Sequence, residues 1–287
     1  MGNPSLLYRS VKSIENEGVS TFLHKGRRYI SERLVEFYYL NMHTSSADNV
    51  LEPNYYYFGH PKCATNWIRS FLYHLCLRKG INYEVHGGDR SKVFSSRRFE
   101  STFNLYVNSL PEHIEQLDKN SKGFRMIRDP RDLLISAYFS WKNSHYHNAK
   151  RQVEIRELLQ RCSMEEGLIF LMKDFDSFKA MKGWYLTERP GIRMVKYEDL
   201  LADSHREFRT LLDHLDISVS EEIFESCLAK SSFTAMTGKR SKGVENKHSH
   251  YRKGVSGDWI NYMPRESEPY ARFLELHGPL MTELGYE

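Results

Sequence analysis

The stretch from Tyr55 to Gly80, YYYFGHPKCATNWIRSFLYHLCLRKG, constrains this chain more than any other. It reads as strand, tight loop and helix. The aromatic run 55–58 suits a buried strand, and Gly59 and Pro61 end it. From Thr65 onward Trp67, Ile68, Phe71, Leu72, Leu75 and Cys76 recur at helical spacing and define one buried stripe. Arg78 and Lys79 fall in the last turn, and Gly80 stops the helix. A loop between a strand and a helix N-terminus offers unpaired N–H groups and the positive end of the helix dipole, a natural setting for an anion. Lys62 adds a mobile charge at its mouth. The plain alternative is an ordinary strand-to-helix turn that happens to hold a lysine. The glycines of a Walker A loop are missing, and Cys63 follows Lys62, so no hydroxyl stands ready for Mg²⁺. The pattern points away from metal-dependent transfer from a nucleoside triphosphate.

The rest of the chain supports an alternating α/β reading. INYEVH at 81–86, Gly123 to Ile127, and IRMVKYEDL at 192–200 read as strands. Helical patterns cover Pro111 to Leu117, Asp132 to Asn143, Glu207 to Leu215, Ser220 to Lys230 and Glu268 to Leu284. Ser163-Met164-Glu165-Glu166 has capping-box spacing and opens a helix that the pattern carries to about Tyr185. Residues 90–109 give no firm assignment. The turn at 144–150 reads as exposed, and 237–257, rich in Lys, Gly, Ser and His, as a long mobile loop. Strands alternating with helices predict a central parallel sheet flanked by helices, with ligands at the carboxyl ends of its strands. Residues 1–50 are a basic, helix-compatible arm and linker, and 51–287 the main domain. The arm is expected to pack on that domain, the alternative being a helix lying on a membrane surface.

With 287 residues, 41 basic and 37 acidic side chains and a net charge of +4, the chain is too mildly basic to argue for nucleic acid, and a small polyanion suits it better. Its 4 cysteines show no CxxC pair or zinc spacing, which favours a reduced, cytoplasmic protein. No apolar run approaches a membrane span, and no signal peptide or myristoylation pattern stands at the start. The H-x-H pairs His145/His147 and His248/His250 lack a carboxylate or thiol at useful spacing, so no metal is expected.

Two further motifs carry chemistry. In FRMIRDPRDLLISAYFSW, Arg128 leaves a strand and Ser136 follows eight residues later, two turns into a helix. A guanidinium fork and a hydroxyl can converge on one anion; alternatively Arg128, Asp129, Arg131 and Asp132 pair among themselves. In HYRKGVSGDW, Arg252 and Lys253 precede Gly254, where backbone can approach a ligand closely; a basic surface loop is the plain alternative.

HPKCATNW resembles the PKSGTTW loop of the PAPS-dependent sulfotransferases, which grip the 5′-phosphosulfate of 3′-phosphoadenosine 5′-phosphosulfate (PAPS). Pro61, Lys62, Thr65 and Trp67 match; Cys63, Ala64 and Asn66 stand in for Ser, Gly and Thr. Arg128 with Ser136 is similar in identity and spacing to the family's 3′-phosphate motif, and 252–259 to its RKGxxGDW segment. Tyr197 in VKYEDL resembles the tyrosine that touches adenine. Ser231-Ser232-Phe233 resembles a Thr-Ser-Phe whose ring faces the base opposite Trp67. The resemblance spans about 55–262 and implies a P-loop-like sulfotransferase fold. It implies donor contacts from Lys62, Cys63, Ala64, Thr65, Asn66, Trp67, Arg128, Ser136, Tyr197, Ser232, Phe233, Arg252, Lys253 and Gly254.

It further implies sulfuryl transfer to a hydroxyl or amine of a small-molecule or glycan/lipid acceptor, with release of 3′-phosphoadenosine 5′-phosphate (PAP) and without metal. Lys62 would be catalytic. The cytosolic branch carries a histidine before the 3′-phosphate arginine, but 103–111 contains none. Heparan-type members use a glutamate in an E-V-H context, matched by Glu84-Val85-His86, so the base is Glu84 or His86. A nucleotide kinase or NTPase, and a non-catalytic PAP-binding protein, are the competing readings.

Overall fold

The computed structural model describes residues 54–87, 93–96, 99–144, 150–174 and 189–286, with scattered positions between 23 and 39. The turn at 144–150 and the continuation of the 163 helix to Tyr185 lie largely outside the described residues, as do most of the N-terminal arm and linker. The described positions between 23 and 39 are helical, and Leu23, Ile30, Leu34, Phe37 and Tyr38 are exposed there. No helix among the described residues is long and apolar enough to cross a membrane.

The chain forms two compact units, one from Ser31–Arg128 and Lys179–Ser232, the other from Met1–Ile30, Asp129–Phe178 and Phe233–Glu287. The first holds the sheet. Strands β1 (Tyr55–Phe58), β2 (Asn82–His86), β3 (Thr102–Tyr106), β4 (Lys122–Ile127) and β5 (Ile192–Lys196) lie in the order β2-β3-β1-β4-β5. All paired neighbours are parallel, so every strand delivers its following residues to one edge. β3 comes from the segment the sequence left unassigned. It separates β2 from β1, with Glu84 opposite Asn104 and His86 opposite Tyr106.

Alternation along the strands sorts the sheet into two faces. Tyr57, Phe103 and Phe124 share one face, all buried, with the Tyr57 and Phe124 rings 5.1 Å apart. Helix α1 (Thr65–Lys79) covers this side: the Tyr83 hydroxyl donates to the Arg69 carbonyl (3.1 Å). Burying each such aromatic side chain contributes about 1.5–3 kcal/mol. Gly80 ends α1 at φ 71° in the left-handed region, as its position predicts. On the opposite face Phe58 packs with Ile192 and with Ile114 of α2 (Pro111–Glu115). Unlike the strand reading of 192–200, β5 stops at Lys196 and Tyr197 opens α6 (Tyr197–Ala202). Helices α7 (Ser204–His214) and α8 (Glu221–Ser231) complete this unit; Ser220 caps α8 through its hydroxyl.

The second unit is helical among its described residues. It contains α3 (Pro130–Phe139), α4 (Lys150–Arg161), α5 (Met164–Asp174), α9 (Phe233–Thr237) and α10 (Glu268–Glu283). The helix predicted to run to Asn143 gives way after Phe139 to a π turn at Ser140–Ser144. The capping box at Ser163 forms as its spacing predicts: Glu166 accepts from the Ser163 N–H (2.8 Å), and the Glu166 N–H returns to the Ser163 hydroxyl (3.2 Å).

The 237–257 segment is a fastened loop, contrary to its composition. Arg240 donates to the carbonyls of Val244 (2.7 Å) and Arg252 (2.6 Å) and to that of Tyr251. The N–H groups of Gly243 and Asn246 donate to Lys253 and Arg252 carbonyls, each at 2.9 Å. A guanidinium able to satisfy several carbonyls at once supplies order that composition does not reveal.

Candidate active site

In the sheet-bearing unit, β1 is central. The chain leaves it toward β2 on one side, while β4 leads to β5 on the other. The crevice between the carboxyl ends of β1 and β4 is therefore the topological switch point, where ligands of open parallel sheets bind. Both the 61–67 loop and Arg128 emerge there.

The loop is shaped by two left-handed residues, Lys62 (φ 67°) and Ala64 (φ 56°). A left-handed non-glycine residue costs about 1–2 kcal/mol, so Ala64 carries strain that a glycine there would avoid. The Cys63 N–H turns back to His60 O (3.1 Å), and Trp67 and Ile68 donate to Ala64 O (2.8 and 3.2 Å). Among the described residues the N–H groups of Lys62, Ala64, Thr65 and Asn66 have no protein acceptor. These donors stand with the positive end of the 15-residue α1, an arrangement that suits an anion. The Thr65 hydroxyl donates to His60 O (3.2 Å) and braces the turn. Cys63 is buried, and burial pushes its thiol far up. A thiol raised in this way stays protonated at neutral pH.

Lys62 is half-buried. Burial, and then the Arg128 guanidinium, lower its ammonium to about 8. Arg128 lies against the same loop, its Nη1 3.3 Å from Lys62 O, and its guanidinium is 4.5 Å from the centroid of the buried Tyr197 ring. The Trp67 ring meets Tyr197 edge-on at 6.4 Å. Lys62, Trp67, Arg128 and Tyr197 are thus one packed group. Ser232 lies at the end of α8, its hydroxyl donating to Ala229 O (2.8 Å).

Glu84 and His86 share the opposite face of the sheet from Tyr57, on its edge strand. His86 closes β2 at the carboxyl edge; Glu84 lies two residues earlier and is exposed. His86 Nε2 is 3.0 Å from Asn104 Oδ1, and its ring stacks on Tyr106 with centroids 4.5 Å apart. Tyr106 in turn stacks on His113 at 4.8 Å. With Asn104 Oδ1 as acceptor, His86 carries its proton on Nε2 and keeps a lone pair on Nδ1. Nothing in the sequence pattern singled out Asn104; only the β2–β3 register brings it to His86.

In the helical unit, Asp129 caps α3, accepting from the Arg131 N–H (2.8 Å), and binds the Arg131 guanidinium through Nε (3.0 Å) and Nη2 (2.8 Å). Mutual pairing therefore accounts for Asp129 and Arg131. Asp132 instead accepts from the N–H groups of Gly257 (2.6 Å) and Trp259 (3.0 Å), tying α3 to the 252–259 segment. Every residue of α3 is buried except Ser136, whose hydroxyl makes no hydrogen bond among the described residues.

Arg252 and Lys253 are held by carboxylates: Arg252 Nη1 is 2.5 Å from Glu245, Arg252 Nη2 is 2.7 Å from Asp258, and Lys253 Nζ is 2.6 Å from Asp258. Gly254 has φ 70°, and a Cβ there would stand 2.6 Å from the Phe233 ring, so backbone and ring touch only because this residue is glycine. Among the described residues, the one His/carboxylate group spaced to hold a metal is His205, Glu221 and Glu225. All three are exposed, and they form surface ion pairs at 3.8 and 3.1 Å.

The family model for the sulfotransferase domain matches residues 57–283. Human sulfotransferase 2A1 is 27% identical over 230 residues, covering 71% of this chain and 76% of that protein. A guinea-pig (Cavia porcellus) 3-alpha-hydroxysteroid sulfotransferase is 25% identical over 224 residues, covering 71% and 75%. Among solved structures, mouse sulfotransferase SULT7A1 complexed with PAP shares the fold, with a TM-score of 0.56, 18% identity, and coverage of 87% of this chain and 89% of that one. The chain belongs to the PAPS-dependent sulfotransferase family. It is an enzyme of sulfuryl transfer, which decides against both competing readings.

Proposed function

We propose that this enzyme moves the sulfuryl group of PAPS to a hydroxyl or amine of a small-molecule acceptor by in-line displacement. The observation that carries the donor reading is the run of unpaired N–H groups of Lys62, Ala64, Thr65 and Asn66 with Arg128 beside it, at the switch point of the sheet. The phosphosulfate lies in that cradle of donors, and Arg128 takes the 3′-phosphate. The acceptor oxygen or nitrogen bonds to sulfur as the bridging S–O bond breaks. PAP leaves with the electron pair, and the acceptor proton passes to a base. Position at the carboxyl end of β2 and a free Nδ1 support His86 as that base, with Glu84 the alternative. Lys62 follows the charge growing on the bridging oxygen. These effects are positioning and electrostatics, without a covalent enzyme intermediate. The steroid named for one relative makes hydroxysteroids the first acceptors to try, before glycans and other lipids. A cytoplasmic location fits the scattered cysteines.

Calorimetry with PAP and AMP tests the donor reading. PAP binds more tightly because of its second phosphate, and Arg128→Ala weakens PAP by a factor corresponding to about 1.5–3 kcal/mol while AMP changes little. Equal affinities for PAP and AMP would remove the 3′-phosphate assignment. On this reading transfer proceeds in EDTA at an undiminished rate, since no step calls on a metal. Loss of activity in EDTA, restored by Mg²⁺, would overturn that part.

A further inference from the structure

His60 is fully buried at the start of the 61–67 loop and takes no part in the steps above. Its groups reach the chain on both sides of Lys62, all within the sheet-bearing unit. Beyond Lys62, its carbonyl accepts from the Cys63 N–H (3.1 Å) and the Thr65 hydroxyl (3.2 Å), and its Nδ1 is 3.7 Å from Cys63 Sγ. Before Lys62, the same Nδ1 is 3.1 Å from the Pro61 carbonyl oxygen. A carbonyl only accepts, so Nδ1 carries a proton, which the Cys63 sulfur shares as a weak acceptor. The Pro61–Lys62 peptide is trans, and the C=O and N–H of a trans peptide point in opposite directions. A buried ring that holds the Pro61 oxygen inward therefore turns the Lys62 N–H outward, toward the mouth of the loop. That N–H is one of the unpaired donors. Lys62 itself stands at φ 67°, a conformation a non-glycine residue keeps only where its surroundings fix it. The contacts at Pro61 and Cys63 bracket it.

We propose that His60 is a positioning residue for the donor: through Nδ1–H it fixes the Pro61–Lys62 peptide so that the Lys62 N–H faces the 5′-phosphate group. The inference rests on the donor reading above. An N–H already aimed at an anion binds it without the cost of turning a peptide at the moment of binding. The 5′-phosphate is common to PAP and AMP, whereas Arg128 is assigned to the 3′-phosphate, so the two roles separate in binding.

Calorimetric titration of the full chain with PAP and with AMP tests this, for the parent protein, His60→Asn, His60→Gln and His60→Phe. An asparagine amide can place an N–H near the position of Nδ1. A glutamine amide reaches instead toward that of Nε2, and phenylalanine fills the space with no donor. His60→Gln and His60→Phe should weaken PAP and AMP by the same factor, about tenfold, the loss of one charge-assisted contact. They should raise the KM for PAPS and leave kcat at saturating donor nearly unchanged. His60→Asn should bind both nucleotides close to the parent. In the parent, long-range proton–nitrogen spectra should show a proton on His60 Nδ1, a readout that depends on no variant folding. Parent-like affinities in His60→Gln and His60→Phe, equal losses in all three variants, a loss confined to PAP, or a bare Nδ1 would each overturn the role of His60. The parent's preference for PAP over AMP would leave the donor reading standing in those cases. A parent protein that binds neither nucleotide fails the donor reading itself, and the inference with it.

Discussion

Lys62→Ala should lower kcat by about two to three orders of magnitude, the size typical of removing one donor from a developing oxyanion. Donor affinity should fall much less. Negative charge on the bridging oxygen grows only as the S–O bond breaks, so an ammonium that follows it acts more on the transition state than on the ground state. Lys62 is suited to that part. It is half-buried beside Arg128, and no described carboxylate forms an ion pair with it. Its lowered pKa of about 8 gives a second signature. The ammonium is protonated below that value and is lost as pH rises through it. In the free enzyme kcat/KM should therefore decline above about pH 8 and be flat just below, and that limb should vanish in Lys62→Ala. Single-turnover rates and PAP titrations on the same protein separate the two effects. A variant that loses donor affinity as steeply as it loses rate would make Lys62 a binding residue only.

How much of this was readable beforehand depended on whether cause and effect lay close in the chain. The 55–80 stretch and the Ser163 capping box fold as read because spacing and cap residues act within a few positions. Strand β3 escaped notice because TFNLY shows its apolar side only at Phe103 and Leu105, between charged segments, and its opposite side meets polar partners such as His86. Tyr197 reads as the tail of a strand, yet Glu198 and Asp199 fall in the first turn of a helix, where acidic groups favour the dipole. The residues proposed to hold the donor stand in contiguous motifs. Their partners do not. Asp132 reaches across 125 and 127 positions to Gly257 and Trp259. Arg240 orders a loop whose glycines and serines argue for mobility. Glu245 meets Arg252 only because the backbone of the 243–246 segment lies against it.

Replacing the base should have the largest effect of all. His86→Gln should cut kcat by ~10²–10⁴-fold, the usual contribution of a general base, while PAP binding stays near that of the parent. Glu84→Gln should then be much milder. Both residues lie on the same face of an edge strand, but His86 stands at the carboxyl edge toward which all five parallel strands deliver their loops, and Glu84 two residues short of it. Asn104 Oδ1 accepts a hydrogen bond from Nε2–H at 3.0 Å and Tyr106 backs the ring, which leaves Nδ1 able to accept a proton from an incoming hydroxyl. An exposed glutamate on an edge strand has neither support. The two variants are best compared by single-turnover rates at saturating donor, with PAP titration to confirm that the nucleotide site is intact. A reversed order of effects would transfer the role to Glu84. Rates insensitive to both substitutions in protein that still binds PAP would exclude the pair. The search would then move to His113, the next imidazole along the stack, whose Nδ1 is occupied by the Leu110 N–H (2.9 Å) and which would have to act through Nε2.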